Sequence, residues 1–579
     1  TTMNVGFLAM SFAIKKIFKK LPNQCSSWLM TLLVSTYLMA MFNTNFLSTV
    51  YDIHGVNSFK DLLFMVGLFF FFMAIFNLFL TLLALPWVLK PVIITLLISA
   101  SVATYFMQTY NIMIDKTMIM NMMQTDLKES TELFSISLLV YVTLTGVLPA
   151  LWVWHVQINY GSPLRFLLTK ITTFVAISLV VGLIAVTFYQ DYASLFRNHR
   201  YVRDLIVPVN YVYSLQSYAR HFLPKNKREF QTVGADAYLG SSWQGNAQKK
   251  VVTILVVGET ARRANFSLYD YPRETTPNLS QQNIISFSDF SSCGTSTAVS
   301  LPCMFSNMDR SNYEHDQAIN SDNLLDVLQR SGLSVIWEDN NSGCKGVCNR
   351  VESINLMDAD NPNLCHDGEC YDMILLEKLE QTLNASDNNA VIVLHQKGSH
   401  GPSYFLRTPE AFRKFSPVCD TNQLQECSQQ EIINAYDNTI LYTDYFLSEV
   451  INFLKSRSDQ YDSSMLYLSD HGESLGENNL YLHGVPYMLA PHEQTEVPFL
   501  FWMDDGFANR FSIDKNCLDD KRKRHFSHDN LFDSMLGLLD VQTDAYRPEM
   551  DIFSSCRSIN QASTIAATSH EQKSHHVKN

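Results

Sequence analysis

Five apolar stretches crowd into the first 200 of the chain's 579 residues, and they limit the possible folds more than any other feature. They run at 27–48, 62–85, 88–108, 133–154 and 167–189. A helix needs about 20 mostly apolar residues to cross the hydrocarbon core of a bilayer, where every backbone polar group must find its partner within the segment. Five such runs in so short a space predict a five-helix membrane domain over 1–189 rather than a set of buried core helices. The third run holds Lys90 and Pro91, so its apolar part starts after Pro86, with the Lys90 ammonium reaching for an interface.

Charge divides along the same line. Residues 1–200 carry 12 Lys/Arg and 7 Asp/Glu, a balance of +5, while the rest of the chain brings the total to -13 and so carries -18. This split excludes a disordered chain, a short disulfide-stapled peptide and a wholly soluble enzyme. The acidic excess argues against nucleic acid as a partner, because phosphate contacts want a basic face. Positive charge also sets orientation. Lys15, Lys16, Lys19 and Lys20 precede the first run, Lys90 lies at the second short connection, and Arg165 and Lys170 lie at the fourth. With five alternating spans these fall on one side, the cytoplasm. The loops 49–61 and 109–132 and everything after Tyr189 then lie outside. No small-residue cleavage site follows the first run, which reads as an uncleaved anchor.

Cysteine usage fits that placement. Cys25 stands at the first span, and the other ten lie beyond residue 290: Cys293, Cys303, Cys344, Cys348, Cys365, Cys370, Cys419, Cys427, Cys517 and Cys556. An even set in an outer domain reads as a disulfide framework in an oxidising space such as a bacterial periplasm. The spacings do not repeat as C-x2-C pairs, which argues against zinc ribbons. Pairing of close neighbours is the simplest arrangement, with Cys517 and Cys556 left over for each other.

Residues 190–250 lack a long periodic run and read as bridging helices and linker. From 251 short β-branched runs appear, at 251–257, 333–337, 390–394, 464–468 and 497–502, separated by helical stretches. Such alternation predicts an α/β domain over 251–556 with a largely parallel sheet, whose functional groups gather where strands end. The tail 557–579 is Ser-, Ala-, Thr- and His-rich and reads as disordered.

The strand ends carry the chemistry. The first strand runs into Gly258-Glu259-Thr260 and the fourth into Ser469-Asp470-His471-Gly472-Glu473. Two further loops hold His400, in Gly398-Ser399-His400-Gly401-Pro402, and His483, in Tyr481-Leu482-His483-Gly484. Carboxylate oxygens with imidazole nitrogens suit zinc. Between these pieces lies CGTSTAVSLPC at 293–303, where flanking cysteines hold a hydroxyl-rich loop. Thr295, Ser296 and Thr297 compete as nucleophile. A hydroxyl attacks well only when a metal or base lowers its pKa.

Together these motifs resemble the lipid A phosphoethanolamine transferases, the inner-membrane enzymes that include transferable colistin-resistance determinants. GETAR at 258–262, CGTSTAVSLPCMFS at 293–306, GSHGP at 398–402, SDHGESLGE at 469–477 and YLHG at 481–484 occur in family order, and the resemblance spans nearly the whole chain. It implies a five-helix membrane domain joined to a periplasmic α/β domain of alkaline phosphatase/sulfatase type. Glu259, Asp470 and His471 are implied as zinc ligands, with Thr297 as both ligand and nucleophile. His400 and His483 are implied to contact the phosphoryl group or a further metal. Asn121, Thr125 and Glu129, spaced i, i+4, i+8 on one helix face, match donor-contact positions, as do Ser342 and Lys345. The implied reaction moves phosphoethanolamine from phosphatidylethanolamine to lipid A through a covalent threonine intermediate. The implied setting is a monomer in a Gram-negative inner membrane, among membrane lipids. Acceptors such as Kdo, heptose or a periplasmic glucan, or hydrolysis on the same fold, are the alternatives. Lys397, just before GSHGP, adds a positive charge that the motif does not call for.

Overall fold

The computed structural model describes residues 24–125, 127–219, 229–244, 249–357, 359–366, 369–385 and 388–557, the side chains of 127–129 excepted. The readings of Lys15, Lys16, Lys19 and Lys20, of the Glu129 side chain and of the tail past Arg557 therefore lie outside the described residues. Arg557 itself is ordered: it bridges to Ile513 and its guanidinium pairs with Asp551.

The chain forms two compact units. Described residues before Asn121 and from Leu133 to Leu223 make one, and Asn121–Glu132 joins the described residues from Pro224 onward in the other. The stretch 109–132, read as one outer loop of the membrane domain, thus divides at Asn121. The described residues of the bridge 190–250 divide as well, with 190–219 in the first unit and 229–244 and 249–250 in the second.

Among the described residues of the first unit, four helices are long and apolar enough to cross a membrane: Phe59–Leu82, Leu89–Tyr110, Ile136–His155 and Pro163–Thr187. The first apolar run behaves differently. It forms a 16-residue helix, Ser27–Phe42, that breaks at Asn43 before a second helix, Thr44–His54. The break has a chemical cause. The Asn43 amide nitrogen donates to the carbonyls of Leu38 (3.0 Å) and Val207 (2.7 Å), and its oxygen accepts the Val207 N–H (3.0 Å). A buried amide satisfied in this way takes the backbone out of helical register. Ile136–His155 contains a π turn at Thr143–Val147, next to Pro149. Proline lacks the N–H that would bond the Thr145 carbonyl, and the Tyr37 hydroxyl donates to that carbonyl instead (2.9 Å). None of the side chains of Pro163–Thr187 is buried. Its exposed leucines and valines suit a lipid environment.

The second unit is an α/β layer. Its seven sheet strands are β1 (Lys250–Gly258), β2 (Ile285–Phe287), β3 (Ser334–Asp339), β4 (Glu352–Asn355), β5 (Ala390–His395), β6 (Tyr461–Ser469) and β7 (Phe499–Met503), in spatial order β2-β7-β6-β1-β5-β3-β4. β6, β1, β5, β3 and β4 are mutually parallel, and β7 runs antiparallel to β6 and β2. The short edge strands β2 and β4 carry no long apolar run that would mark them in the sequence.

Side-chain alternation along β1 explains the two cores. Val251, Leu255 and Val257 enter one cluster with helices Leu324–Arg330 and Leu531–Leu538, whereas Val252, Ile254 and Val256 enter another with Met373–Ala385 and Gln429–Ser456. With both faces covered, the strand reads as a continuous apolar run rather than an alternating one. The ten outer cysteines form five disulfides, Cys293–Cys303, Cys344–Cys348, Cys365–Cys370, Cys419–Cys427 and Cys517–Cys556. Cys25 is unbridged.

Candidate active site

Parallel register brings the strand ends together. Gly258 lies opposite Ser469, and His395 lies opposite both Val257 and Asp339. The residues that follow β1 and β6, Glu259 and Asp470-His471, therefore meet at one edge. All three side chains are buried, and each offers a ligand atom within 4.8 Å of the others. The loop after β5 closes over them. The Ser399 N–H donates to the Glu259 carbonyl (2.9 Å), and a Cβ at Gly398, which has φ +55°, would come within 2.7 Å of that same oxygen. Only glycine suits this approach.

The three competing hydroxyls part company here. Thr295 donates to the Val485 carbonyl (2.7 Å), and the Ser296 hydroxyl is buried without a hydrogen bond. Thr297 opens the helix Thr297–Met304 and donates to the Glu259 carboxylate (3.1 and 3.2 Å), with His471 Nε2 at 3.4 Å. His528 fixes the loop from beneath. Its Nδ1 accepts the Cys293 N–H (3.0 Å), so its Nε2 carries the proton and donates to the Ser469 carbonyl (3.0 Å). Burial pushes His528 down to about 3, which keeps it neutral and preserves that tautomer.

The electrostatics ask for a cation. Burial, with the Glu259 charge, pushes Asp470 up to about 6. Burial also acts on Glu259, but its hydrogen bond to His471 and the charges of His471 and His400 outweigh it and hold the carboxyl well below its ordinary value. Burial would lower His471, yet the carboxylates of Asp470 and Glu259 raise it to about 10. Asp470 Oδ2 is buried without a hydrogen-bond partner. Two carboxylates, an imidazole and a hydroxyl around an unsatisfied buried oxygen make a donor set that fits a zinc ion.

A cleft beside this set is lined by Asn121, Gln124, Thr125, Thr297, Ala298, Ser342, Lys345, His400 and His483. The Lys345 ammonium donates to Ser342 Oγ (2.9 Å) and to the Gln124 carbonyl (3.4 Å). The fold thus gathers Asn121, Thr125, Ser342 and Lys345 in one cleft, while the Glu129 side chain is outside the described residues.

Residues 72–223 match the family model described as phosphoethanolamine transferase EptA/EptB, and 252–541 match the sulfatase model. The phosphoethanolamine transferase EptA of Escherichia coli (strain K12) is 40% identical over 550 residues, covering 95% of this chain and all of that protein. The phosphatidylethanolamine transferase Mcr-1 of Escherichia coli is 39% identical over 466 residues, 79% of this chain and 85% of that one. The solved structure of the integral membrane lipooligosaccharide phosphoethanolamine transferase A from Neisseria meningitidis superposes with a TM-score of 0.89 at 39% identity, over 93% of this chain and 100% of that chain.

The chain belongs to the phosphoethanolamine transferase family. It is an integral membrane enzyme whose α/β unit has the sulfatase-type fold. Several further groups support this transferase's site. Glu473 is wholly buried, accepts the Tyr404 hydroxyl (2.6 Å) and faces His483 Nδ1 (2.9 Å), and so orients that ring. Together with His471 and His483 it forms a second set of candidate metal ligands. The Asn341 amide donates to Glu259 Oε2 (2.7 Å). Glu473 stood in the sequence beside Asp470 and His471, but Tyr404, Asn341 and His528 come from loops that only the fold brings in.

Proposed function

We propose that this enzyme transfers phosphoethanolamine from phosphatidylethanolamine to a phosphate of lipid A, with Thr297 as nucleophile, in the inner membrane of a Gram-negative bacterium and with its α/β unit in the periplasm. The observation that carries the reading is the Thr297 hydroxyl, set at a helix start and hydrogen-bonded to the buried Glu259 carboxylate. Glu259, Thr297, Asp470 and His471 would hold zinc, with room for a further ion beside His483 and His400. Bound there, the metal would lower the hydroxyl's pKa and offset charge on the phosphoryl oxygens.

The residues divide the remaining work. Lys345, Ser342, Asn121 and Thr125 bind the donor headgroup in the cleft. The Thr297 oxygen bonds to phosphorus as the bond from phosphorus to the diacylglycerol oxygen breaks. Thr297 releases its proton as its oxygen attacks, and His400 or His483, which line the cleft with ring centroids 5.8 Å apart, relays a proton to the departing oxygen. In the second half the acceptor phosphate attacks the phosphothreonine and Thr297 regains its proton. This is a ping-pong transfer. The product ammonium offsets lipid A phosphate charge, so polymyxins and other cationic peptides bind the cell surface less well.

The deciding measurement is mass spectrometry of lipopolysaccharide from an expressing strain. One added phosphoethanolamine on lipid A, lost with Thr297→Ala, is the expected result. Addition only to Kdo, heptose or a periplasmic glucan would refute the acceptor assignment.

A further inference from the structure

The cleft beside Thr297 has two walls from distant parts of the chain. One is formed by Asn121, Gln124 and Thr125, whose segment runs on to Glu132, and the other is the turn that carries His400. Arg407 touches both. Its Nε donates to the His400 carbonyl (3.0 Å), its Nη2 donates to both carboxylate oxygens of Glu132 (3.0 and 2.9 Å), and its Nη1 donates to Glu369. The Arg407 side chain is 2% exposed and that of Glu132 is 9% exposed. The Asn422 amide donates to the Glu132 carbonyl, a second tie at the same point.

We propose that Arg407 is a positioning residue that locks Asn121–Glu132 against the His400 turn and so sets the width of the donor cleft. The kinetic side of this inference rests on the donor reading given above, but its structural side does not.

The chemistry favours arginine at this point. A guanidinium presents donors in three in-plane directions, whereas an ammonium is a single point charge that cannot span a carbonyl and two carboxylates. Ion pairs among the described residues tie the same point together. Arg407 and Lys397 face Glu132 and Glu369, with Lys397 Nζ 3.5 Å from Glu369 Oε1. The extra cation before GSHGP is thus directed at Glu369, on the hairpin closed by Cys365–Cys370. A buried ion cluster is a weak source of net stability, because desolvation offsets the attraction. Its use here is registry: one side chain fixes where a short segment ends relative to a catalytic turn.

The test uses the full-length enzyme with phosphatidylethanolamine in detergent, as Arg407→Lys, Glu132→Gln and the double variant. Each single change should raise the donor KM about tenfold while kcat stays within about threefold. Amide hydrogen exchange in 121–132 should quicken in both more than in the rest of the α/β unit, with metal content retained. The double variant should be no worse than the weaker single one, as for two ends of one interaction. Unchanged exchange in 121–132 in Glu132→Gln, or effects that multiply in the double variant, would overturn the proposal. If Arg407→Lys does not fold, exchange in Glu132→Gln decides alone. If phosphatidylethanolamine is not the donor, no KM is measurable with any form, yet the exchange result still decides the positioning role.

Discussion

At the scale of single residues, the site turns on which hydroxyl faces the carboxylates. Thr295 is committed to Val485 and Ser296 is enclosed, whereas Thr297 meets Glu259 and His471. With Thr297 as the proposed nucleophile, Thr297→Ala should reduce headgroup transfer by at least about a thousandfold, leaving only binding and electrostatics. Metal content and Tm should stay near those of the unaltered enzyme. The check is release of labelled diacylglycerol, together with a search for a phosphoethanolamine adduct on the peptide holding residue 297. Retained release, or an adduct on Thr295 or Ser296, would refute the assignment. Much of this site was legible in sequence, because its ligands follow strands directly and so sit beside recognisable apolar runs. The choice among three adjacent hydroxyls was not legible from their chemistry, which is nearly identical. Neither was the role of His528, which enters from a remote helix to set one tautomer.

At the scale of elements, β3 carries an oddity that a central strand seldom tolerates. Glu338 is fully buried, accepts the Thr382 hydroxyl at Oε1 (2.7 Å) and leaves Oε2 without a hydrogen bond. Burial pushes its pKa up to about 7, against the pull of Thr382 and the Lys378 charge. The folded state thus holds a proton that the unfolded chain releases near pH 4.3. The stability this confers is complete below the unfolded value and is lost as pH rises through about 7. Glu338→Gln, which cannot ionise, should match the parent below about pH 4 and exceed it above pH 8 by on the order of 3–4 kcal/mol. Tm measured from pH 5 to 8.5 would show diverging curves, and parallel curves would refute the prediction. The long elements themselves were readable, since period and length specify them. The break at Asn43 and the π turn beside Pro149 were not, because each depends on a partner far along the chain, Val207 in one case and Tyr37 in the other.

At the scale of the whole molecule, two units hold separate cores. One apolar cluster is confined to residues between Cys25 and Val207, and the two clusters of the α/β unit lie between Val251 and Cys556. Separate cores predict separate unfolding transitions rather than a single one. Only one of them should respond to metal. Glu259 and Asp470 are buried side by side, and a dication held there would bind the folded α/β unit but would have no formed site in the unfolded chain. At free metal a thousandfold above its Kd this linkage is worth about 4 kcal/mol, which shifts a transition of this size by roughly 5–10 °C. Chelation of the purified enzyme should lower the α/β transition by that amount and abolish transfer, while the helical transition of the first unit stays in place. Added zinc should restore both in the parent and neither in Asp470→Asn. Scanning calorimetry, with far-UV circular dichroism to separate the helical transition, reads both at once. A chelator that moves both transitions together would mean that the units unfold as one. A chelator that moves neither would remove the metal from the site.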